Sequence, residues 1–138
     1  VSHAVEFSLT HAAYYAACAL DTSSVGLDLE APRITMAVAN RCFHPTELTF
    51  LKSLPEPEQP DALLRLWTIK EAYTKQLGSG LHIPLDSFYA DLRENGLYLY
   101  KDSRRIPVRL HEYRLGSLRL CLCSNSVRPE ITQFIPNL

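Results

Sequence analysis

The 138-residue sequence predicts one α+β domain, residues 1–138, in which an antiparallel sheet meander packs against a long helix. Two apolar alternations near the N-terminus, at Val5 to Leu9 and Val25 to Leu29, are typical of strands. A longer stretch from Asp61 to Gly78 has the apolar spacing of an amphipathic helix. Short strand-like segments follow that helix, so the order is strands, then helices, then a meander.

The N-terminal region is predicted to contribute strands. Val5 to Leu9 alternates apolar and polar side chains, and Val25 to Leu29 follows a polar turn and ends before Pro32. Tyr14 to Leu20 is ambiguous: its alanines favour a helix, whereas its shortness and its place between two strands favour a strand.

Three helices are predicted in the middle of the chain. Apolar spacing indicates the first from Ile34 to Phe43. The second begins at residues 44–47 (His-Pro-Thr-Glu), where a first-turn proline and an early acid are start signals, and runs to about Leu54. After a proline-rich loop, Asp61 is the predicted N-cap of the long helix, which ends at Gly78.

The last third of the chain is predicted to be strands, and Asn95-Gly96 is a good hairpin turn between the first two. The predicted strands are Phe88 to Leu92, Leu97 to Tyr100, Ile106 to Leu110 and Leu118 to Cys123.

Composition excludes several functional classes. A net charge of −1 gives no basic field for nucleic acid, and no apolar run approaches the ~20 residues that span a bilayer. The N-terminus lacks the pattern of a signal peptide. The four cysteines show no Cys-x-x-Cys spacing, and Cys121 and Cys123 share one strand face, a poor disulfide geometry. We expect free thiols and a cytoplasmic location.

Two groups of charged residues could carry chemistry. Asp28 and Glu30 project from one face of a strand, and a divalent cation would supply their counter-charge. On the long helix, Glu71 lies between Lys70 and Lys75, and it could be a third ligand if the helix crosses that strand. Solvated acids and surface ion pairs are the alternative for both groups.

Four motifs occur in a fixed order. They are Phe7-Ser8-Leu9-Thr10-His11-Ala12, Val25-Gly26-Leu27-Asp28-Leu29-Glu30, Phe43-His44-Pro45-Thr46-Glu47, and Trp67 through Leu81 with its Trp-x-x-Lys-Glu-Ala-x-x-Lys and Gly-x-Gly-Leu elements. Together they resemble the Sfp-type 4′-phosphopantetheinyl transferases. The last motif is the most specific, and the later strands fit the family's closing meander.

The resemblance implies transfer of the phosphopantetheine arm of coenzyme A to a serine of an apo acyl or peptidyl carrier protein, with release of adenosine 3′,5′-bisphosphate. It implies the following residue roles. Asp28, Glu30 and Glu71 would hold Mg²⁺ or Mn²⁺, Lys70 and Lys75 would contact phosphates, His11 and Thr10 would bind coenzyme A, and Glu47 would support catalysis. Glu71, directly or through a metal-bound water, is the candidate base.

The chain departs from the family pattern in length. Sfp-type enzymes have two similar halves, and this sequence resembles the second. Three explanations are open: a domain or C-terminal part of a longer protein such as a multidomain synthase, a half-length protein that self-associates, or a full-length enzyme that was processed or truncated. The first two are favoured, and we expect some partner surface over the uncovered apolar face. Alternative functions are a non-catalytic half-domain that binds coenzyme A or a carrier protein, and a different magnesium phosphoryl-transfer enzyme. The helix from Ile34 to Phe43 would either dock a carrier helix or pack in the core.

Overall fold

The computed structural model describes residues 4–78, 82–93, 96–126 and 129–132. These residues form eight strands, three α-helices and two short 3-10 turns. The strands are β1 Glu6–Ala12, β2 Tyr15–Asp21, β3 Gly26–Glu30, β4 Tyr89–Arg93, β5 Gly96–Lys101, β6 Arg104–Arg105, β7 Arg109–Leu115 and β8 Leu118–Ser124. The helices are α1 Met36–Cys42, α2 Pro45–Ser53 and α3 Gln59–Gln76, and the 3-10 turns are Glu56–Glu58 and Leu85–Ser87.

Every strand pair among the described residues is antiparallel, in three sheets ordered β1-β2, β3-β8-β7 and β4-β5-β6. The long helix α3 packs on β3 and β8 and also contacts β4. The core between these layers is apolar and includes Leu66, Ile69, Phe88 and Leu99. The predicted α+β fold, an antiparallel meander against a long helix, is confirmed.

The close approach of β3 to α3 depends on Gly26. A Cβ added at this glycine would lie 1.9 Å from the carbonyl oxygen of Ala72 and 2.4 Å from the backbone nitrogen of Gln76. Only a residue without a side chain fits there. This contact holds the strand that carries Asp28 directly against the helix that carries Glu71.

Most predicted elements are present, and the ambiguous segment from Tyr14 to Leu20 is strand β2. The prediction that Asp61 is the N-cap of α3 is wrong, because the helix already begins at Gln59. The Asp61 carboxylate instead binds the Arg114 and Arg119 guanidinium groups. The strand predicted at Ile106 to Leu110 begins later, at Arg109.

Two predicted turns extend beyond the described residues. The left-handed φ of 102° at Gly78 agrees with the predicted end of α3, whereas residues 79–81 of the Gly-x-Gly-Leu element lie outside the described ranges. The β4–β5 hairpin pairs Arg93 with Gly96, and Asn95 of its predicted turn also lies outside.

The four cysteines are free, but they differ in burial. Cys121 and Cys123 are buried on one face of β8, whereas Cys42 is half-buried and Cys18 is exposed. Burial raises the pKa of the Cys123 thiol to about 12 and that of Cys121 well above its usual value. Among the described helices, none is long and apolar enough to cross a membrane.

One face of the β1–β2 hairpin is apolar and exposed. Phe7 pairs with Leu20 and Leu9 pairs with Cys18, and the exposed fractions of Phe7, Leu9 and Leu20 are 63%, 64% and 71%. The opposite face carries Ser8 and Thr10 and is buried against β3. The alternation in β1 therefore buries the hydroxyls and exposes the large apolar side chains, the reverse of an ordinary half-buried strand.

Candidate active site

The contact between β3 and α3 brings a buried carboxylate to a lysine. The Lys75 ammonium donates to Asp28 Oδ1 at 2.9 Å and to the carbonyl oxygen of Leu27 at 3.0 Å. Asp28 is 3% exposed, while about a third of the Lys75 side chain is accessible. Glu71 lies one helical turn before Lys75, so the two share a face of α3. The site therefore combines a buried acid with a cation that still reaches solvent.

The second Asp28 oxygen, Oδ2, is buried without a hydrogen-bond partner among the described residues. Burial raises the pKa of Asp28 to about 7, Lys75 opposes this shift, and the carboxylates of Glu30 and Glu71 add to it. Such an unsatisfied carboxylate oxygen normally needs a proton, a donor or a cation. Oδ2 is therefore the atom of this site at which a proton, a donor or a cation would satisfy Asp28.

Glu71 is half-buried and has no hydrogen-bond partner for its carboxylate in the described part of the chain. Burial raises the pKa of the Glu71 carboxyl, Lys75 opposes the shift and Glu30 adds to it. A carboxylate with a raised pKa is a better proton acceptor at neutral pH than an exposed one. Its electrostatic coupling to Asp28, Glu30 and Lys75 shows that these four charges occupy one neighbourhood.

Glu30 ends β3 on the same side as Asp28. Its Oε1 accepts from the Trp67 indole Nε1 at 3.3 Å, and its Oε2 lies 3.6 Å from the Arg33 guanidinium. Trp67 belongs to the most specific of the four sequence motifs, although no role was predicted for it. The sequence spacing could have placed Trp67 near the site, since Trp67 and Glu71 are four residues apart and therefore lie on one side of the helix.

The predicted metal ligands do not form a compact cluster. No group of three His, Cys, Asp or Glu side chains within the described ranges is close enough to hold a metal ion. The donor set nevertheless suits magnesium, which needs only one or two protein carboxylates and takes its other ligands from water and phosphate. The unpaired Oδ2 of Asp28 fits that need, and Glu30 and Glu71 lie within electrostatic range of it.

Lys70 does not face the charged site. Its ammonium is fully buried and lies 2.9 Å from Glu47 Oε1, and it donates to the Phe88 carbonyl oxygen at 2.6 Å. The ammonium also lies 4.0 Å from the centroid of the Phe88 ring. Burial lowers the pKa of the Lys70 ammonium, whereas the nearby Glu47 carboxylate opposes this shift. The expected phosphate contact of Lys70 is therefore corrected to a structural role.

Glu47 is the partner that explains this burial. Besides Lys70, the carboxylate accepts from the backbone N–H of His44 at 3.1 Å, which completes a capping box at the start of α2, and from that of Ala90 at 2.9 Å. All of its contacts hold secondary structure together, and it is 1% exposed. The structure places Glu47 in the core, away from the site that it was expected to support.

Thr10 and His11 lie on opposite faces of β1. The Thr10 hydroxyl accepts from the backbone N–H of Leu29 at 3.0 Å, and the Ser8 hydroxyl does the same for Leu27. These bonds attach the hairpin to β3 on both sides of Asp28. The His11 side chain is exposed, with no hydrogen bond to Asp28, Glu71 or Lys75. No role was predicted for Ser8, although its spacing of two residues from Thr10 puts both hydroxyls on one face of the strand.

Comparison with known proteins identifies the family. Residues 24–123 match the model of the 4′-phosphopantetheinyl transferase superfamily. The chain is 32% identical over 120 residues to the 4′-phosphopantetheinyl transferase gsp of Aneurinibacillus migulanus, which covers 86% of this chain and 51% of that protein. It is 37% identical over 91 residues to the 4′-phosphopantetheinyl transferase Sfp of Bacillus subtilis strain 168, which covers 65% of this chain and 41% of that protein.

The matched region contains β3, α3 and the acids and lysine between them. The chain therefore belongs to the 4′-phosphopantetheinyl transferase superfamily, and its likeness to gsp and Sfp is consistent with the Sfp type. It spans only about half the length of these relatives.

Proposed function

We propose that this chain transfers the 4′-phosphopantetheine arm of coenzyme A to a serine of an apo acyl or peptidyl carrier protein, with release of adenosine 3′,5′-bisphosphate. Membership of the superfamily and the names of the relatives support the reaction class. The single structural observation behind the proposal is the site at which Asp28, Glu71 and Lys75 meet. It offers an unpaired carboxylate oxygen, a base of raised pKa and an accessible ammonium.

In the proposed reaction the serine Oγ attacks the β-phosphorus of coenzyme A, and the bond from that phosphorus to the bridging oxygen breaks. The electron pair leaves with adenosine 3′,5′-bisphosphate, and the serine proton passes to Glu71 or to a water that Glu71 orients. Lys75 can turn its accessible ammonium from Asp28 toward the developing negative charge. These two residues therefore act on opposite ends of the transferring group.

A divalent cation, Mg²⁺ or Mn²⁺, would be held by Asp28, with Glu30 and Glu71 as further oxygen donors. When bound it would neutralise pyrophosphate charge, a contribution that a lone lysine supplies only in part. The chain's own residues prepare for it, because burial of Asp28 beside Glu30 and Glu71 leaves excess negative charge at one point. Lys75 is the only one of the predicted phosphate-binding lysines that contributes to this site.

His11 remains the proposed contact for a coenzyme A phosphate, because its imidazole is exposed on the same face of β1 as Phe7 and Leu9, where a covering surface would complete the cleft. Thr10 is assigned a different task. Its hydroxyl accepts a hydrogen bond from the backbone N–H of Leu29, the residue after Asp28. Thr10 therefore holds β1 against β3 beside Asp28. Glu47 and Lys70 hold α3 in place from the opposite side.

The exposed apolar face of β1–β2 supports the proposal that another surface completes the binding cleft. Neither of two grooves, of about 470 and 560 Å³, is lined by Asp28, Glu71 or Lys75. Because the chain spans about half of its relatives, we propose that a second copy of the chain or a further part of a longer protein covers this face. A non-catalytic half-domain that binds coenzyme A is the alternative, because the chain spans about half of its relatives.

Release of adenosine 3′,5′-bisphosphate from coenzyme A separates the two functions. Chromatography of a mixture of the chain, coenzyme A, Mg²⁺ and an apo carrier protein should show this product only when the carrier has its acceptor serine. A carrier with that serine replaced by alanine is the control. If coenzyme A binds to the chain but no nucleotide is released with any of several serine carriers, the binding function replaces the transferase.

A further inference from the structure

Trp67 connects three elements around the candidate site. It is the only tryptophan of the chain, and its half-buried ring stacks on Phe43, with the ring centroids 6.2 Å apart and the planes 26° apart. Its Nε1 donates to Glu30 Oε1 at 3.3 Å. Phe43 is the C-cap of α1, Trp67 belongs to α3 and Glu30 ends β3. The indole is thus held on its face while its single donor points at an acid of the site.

The two oxygens of Glu30 have very different partners. Oε1 accepts from the fixed indole. Among the described residues, Oε2 has only the Arg33 guanidinium, at 3.6 Å, and 76% of the Arg33 side chain is exposed. An exposed ion pair of this length contributes little, so Arg33 can leave Oε2 at small cost. The Glu30 side chain is itself only 13% exposed.

We propose that Trp67 is a positioning residue that orients the Glu30 carboxylate for a divalent cation, and that its indole emission therefore reports occupation of the site. This inference rests on the proposed function, which places the cation beside Asp28 and Glu30. With Oε1 fixed by the indole, the cation takes the place of the Arg33 guanidinium near the other oxygen. Outer hydrogen bonds to a metal-binding side chain typically change metal affinity by about 10–100-fold.

A purely packing role would have a different signature. A phenyl ring can stack on Phe43 as well as an indole does, so packing alone does not require the N–H group. The positioning role depends on that N–H and on Glu30. The variant W67F removes the donor and keeps an aromatic ring, while E30Q keeps an acceptor for the indole and removes the charge.

The first test is a Mg²⁺ titration of the isolated chain, without coenzyme A, followed by indole emission. We expect a saturable change in the wild-type chain that E30Q abolishes. The variant R33A is the matched control, because it removes the competing cation, and it should respond at the same or a lower Mg²⁺ concentration. A response that persists unchanged in E30Q would overturn the proposal, because the indole would then report an event elsewhere.

The second test measures Mg²⁺ affinity of W67F by calorimetry, after circular dichroism and thermal unfolding have shown that the variant folds. The dissociation constant should rise about tenfold. If W67F binds as tightly as the wild-type chain, the positioning role is wrong while the proposed metal site stands. If the wild-type chain itself binds no Mg²⁺ in either measurement, the proposed metal site fails and the role of Trp67 fails with it.

Discussion

Asp28 combines burial with an oxygen that no described group satisfies, and this makes it sensitive to pH. Its folded pKa of about 7 lies above the ordinary value of 3.8, so the folded chain binds more protons than the unfolded chain between these values. The contribution of Asp28 to the free energy of unfolding is therefore fully present below about pH 4, and it is lost as the pH rises through about 7 and the buried carboxyl ionises. A fold that keeps such a group at neutral pH sacrifices stability for the site.

The variant D28N should remove this pH dependence. We expect it to be more stable than the wild-type chain at pH 8, by up to about 4 kcal/mol in the free energy of unfolding, since the pKa of Asp28 rises from 3.8 to about 7 and one pKa unit corresponds to about 1.4 kcal/mol. At pH 4 the two should be similar. Thermal unfolding at a series of pH values, in the absence of divalent cations, measures both effects. A D28N variant that is less stable than the wild-type chain at pH 8 would contradict the pKa assignment.

Glu71 should be essential for transfer and nearly neutral for folding, because its half-buried carboxylate accepts no hydrogen bond from the described residues. We expect E71Q to lower the rate of carrier modification by about 10²–10⁴-fold, the usual contribution of a positioned base. The control is E56Q, which changes an exposed acid in the first 3-10 turn. Equal rates for E71Q and the wild-type chain, with both folded, would eliminate Glu71 as the base.

Spacing along the sequence predicted some site residues and misassigned others for one physical reason. Asp28 and Glu30 are two residues apart on a strand, so the sequence alone predicts that their side chains project from the same face. Lys70 and Glu71 are adjacent on a helix and point about 100° apart, and sequence alone does not show which direction faces β3. The structure answers this: Glu71 and Lys75 face the strand, while Lys70 points into the core beneath Phe88.

At the scale of elements, the Glu47–Lys70 pair connects α2, α3 and the start of β4. The carboxylate accepts from the His44 and Ala90 backbone N–H groups, and the ammonium donates to the Phe88 carbonyl oxygen. A buried pair of opposite charges whose hydrogen bonds are satisfied is compatible with a stable fold, whereas a single buried charge without its partner is strongly destabilising. This pair therefore attaches α3 to α2 and to the start of β4.

The variant K70M should therefore act on stability, because it leaves Glu47 charged and unpaired in the core. We expect a loss of about 3–5 kcal/mol in the free energy of unfolding, measured by denaturant titration. The exposed K52M in α2 is the control and should change stability little. A folded K70M of unchanged stability that binds coenzyme A more weakly would restore the phosphate contact that the sequence predicted.

Element boundaries show the same division between local and tertiary information. The start of α2 was predictable because its signals, a proline at the first position and Glu47 at the third, act within one turn. The start of α3 was not predictable in this way, because Asp61 forms ion pairs with Arg114 of β7 and Arg119 of β8, which are distant in sequence. The β1–β2 face was not predictable either, because alternation does not tell which side is buried.

At the scale of the whole molecule, the β1–β2 face is an apolar surface without a cover in the described structure. Val5, Phe7, Leu9 and Leu20 are each at least 61% exposed. Contiguous apolar surfaces of this kind usually mark an interaction site. The hairpin packs on β3, so a partner on this face would also sit beside the strand that carries Asp28.

The variant F7E should weaken association through this face, because it places a charge in the middle of the apolar patch. Sedimentation velocity over a range of concentrations should show self-association of the wild-type chain and a shift toward monomer for F7E. The control I131E introduces the same charge at an exposed apolar residue outside the hairpin. A monomeric wild-type chain at every concentration would exclude a second copy as the cover and leave a further part of a longer protein.

The most direct measurement is the intact mass of an apo acyl carrier protein after incubation with the chain, coenzyme A and Mg²⁺, beside a sample without metal. We predict a gain of one phosphopantetheine arm that requires the metal and is lost with E71Q. No gain with several carriers, although the chain is folded and self-associated, would contradict the claim that the residues between β3 and α3 form a working transferase site.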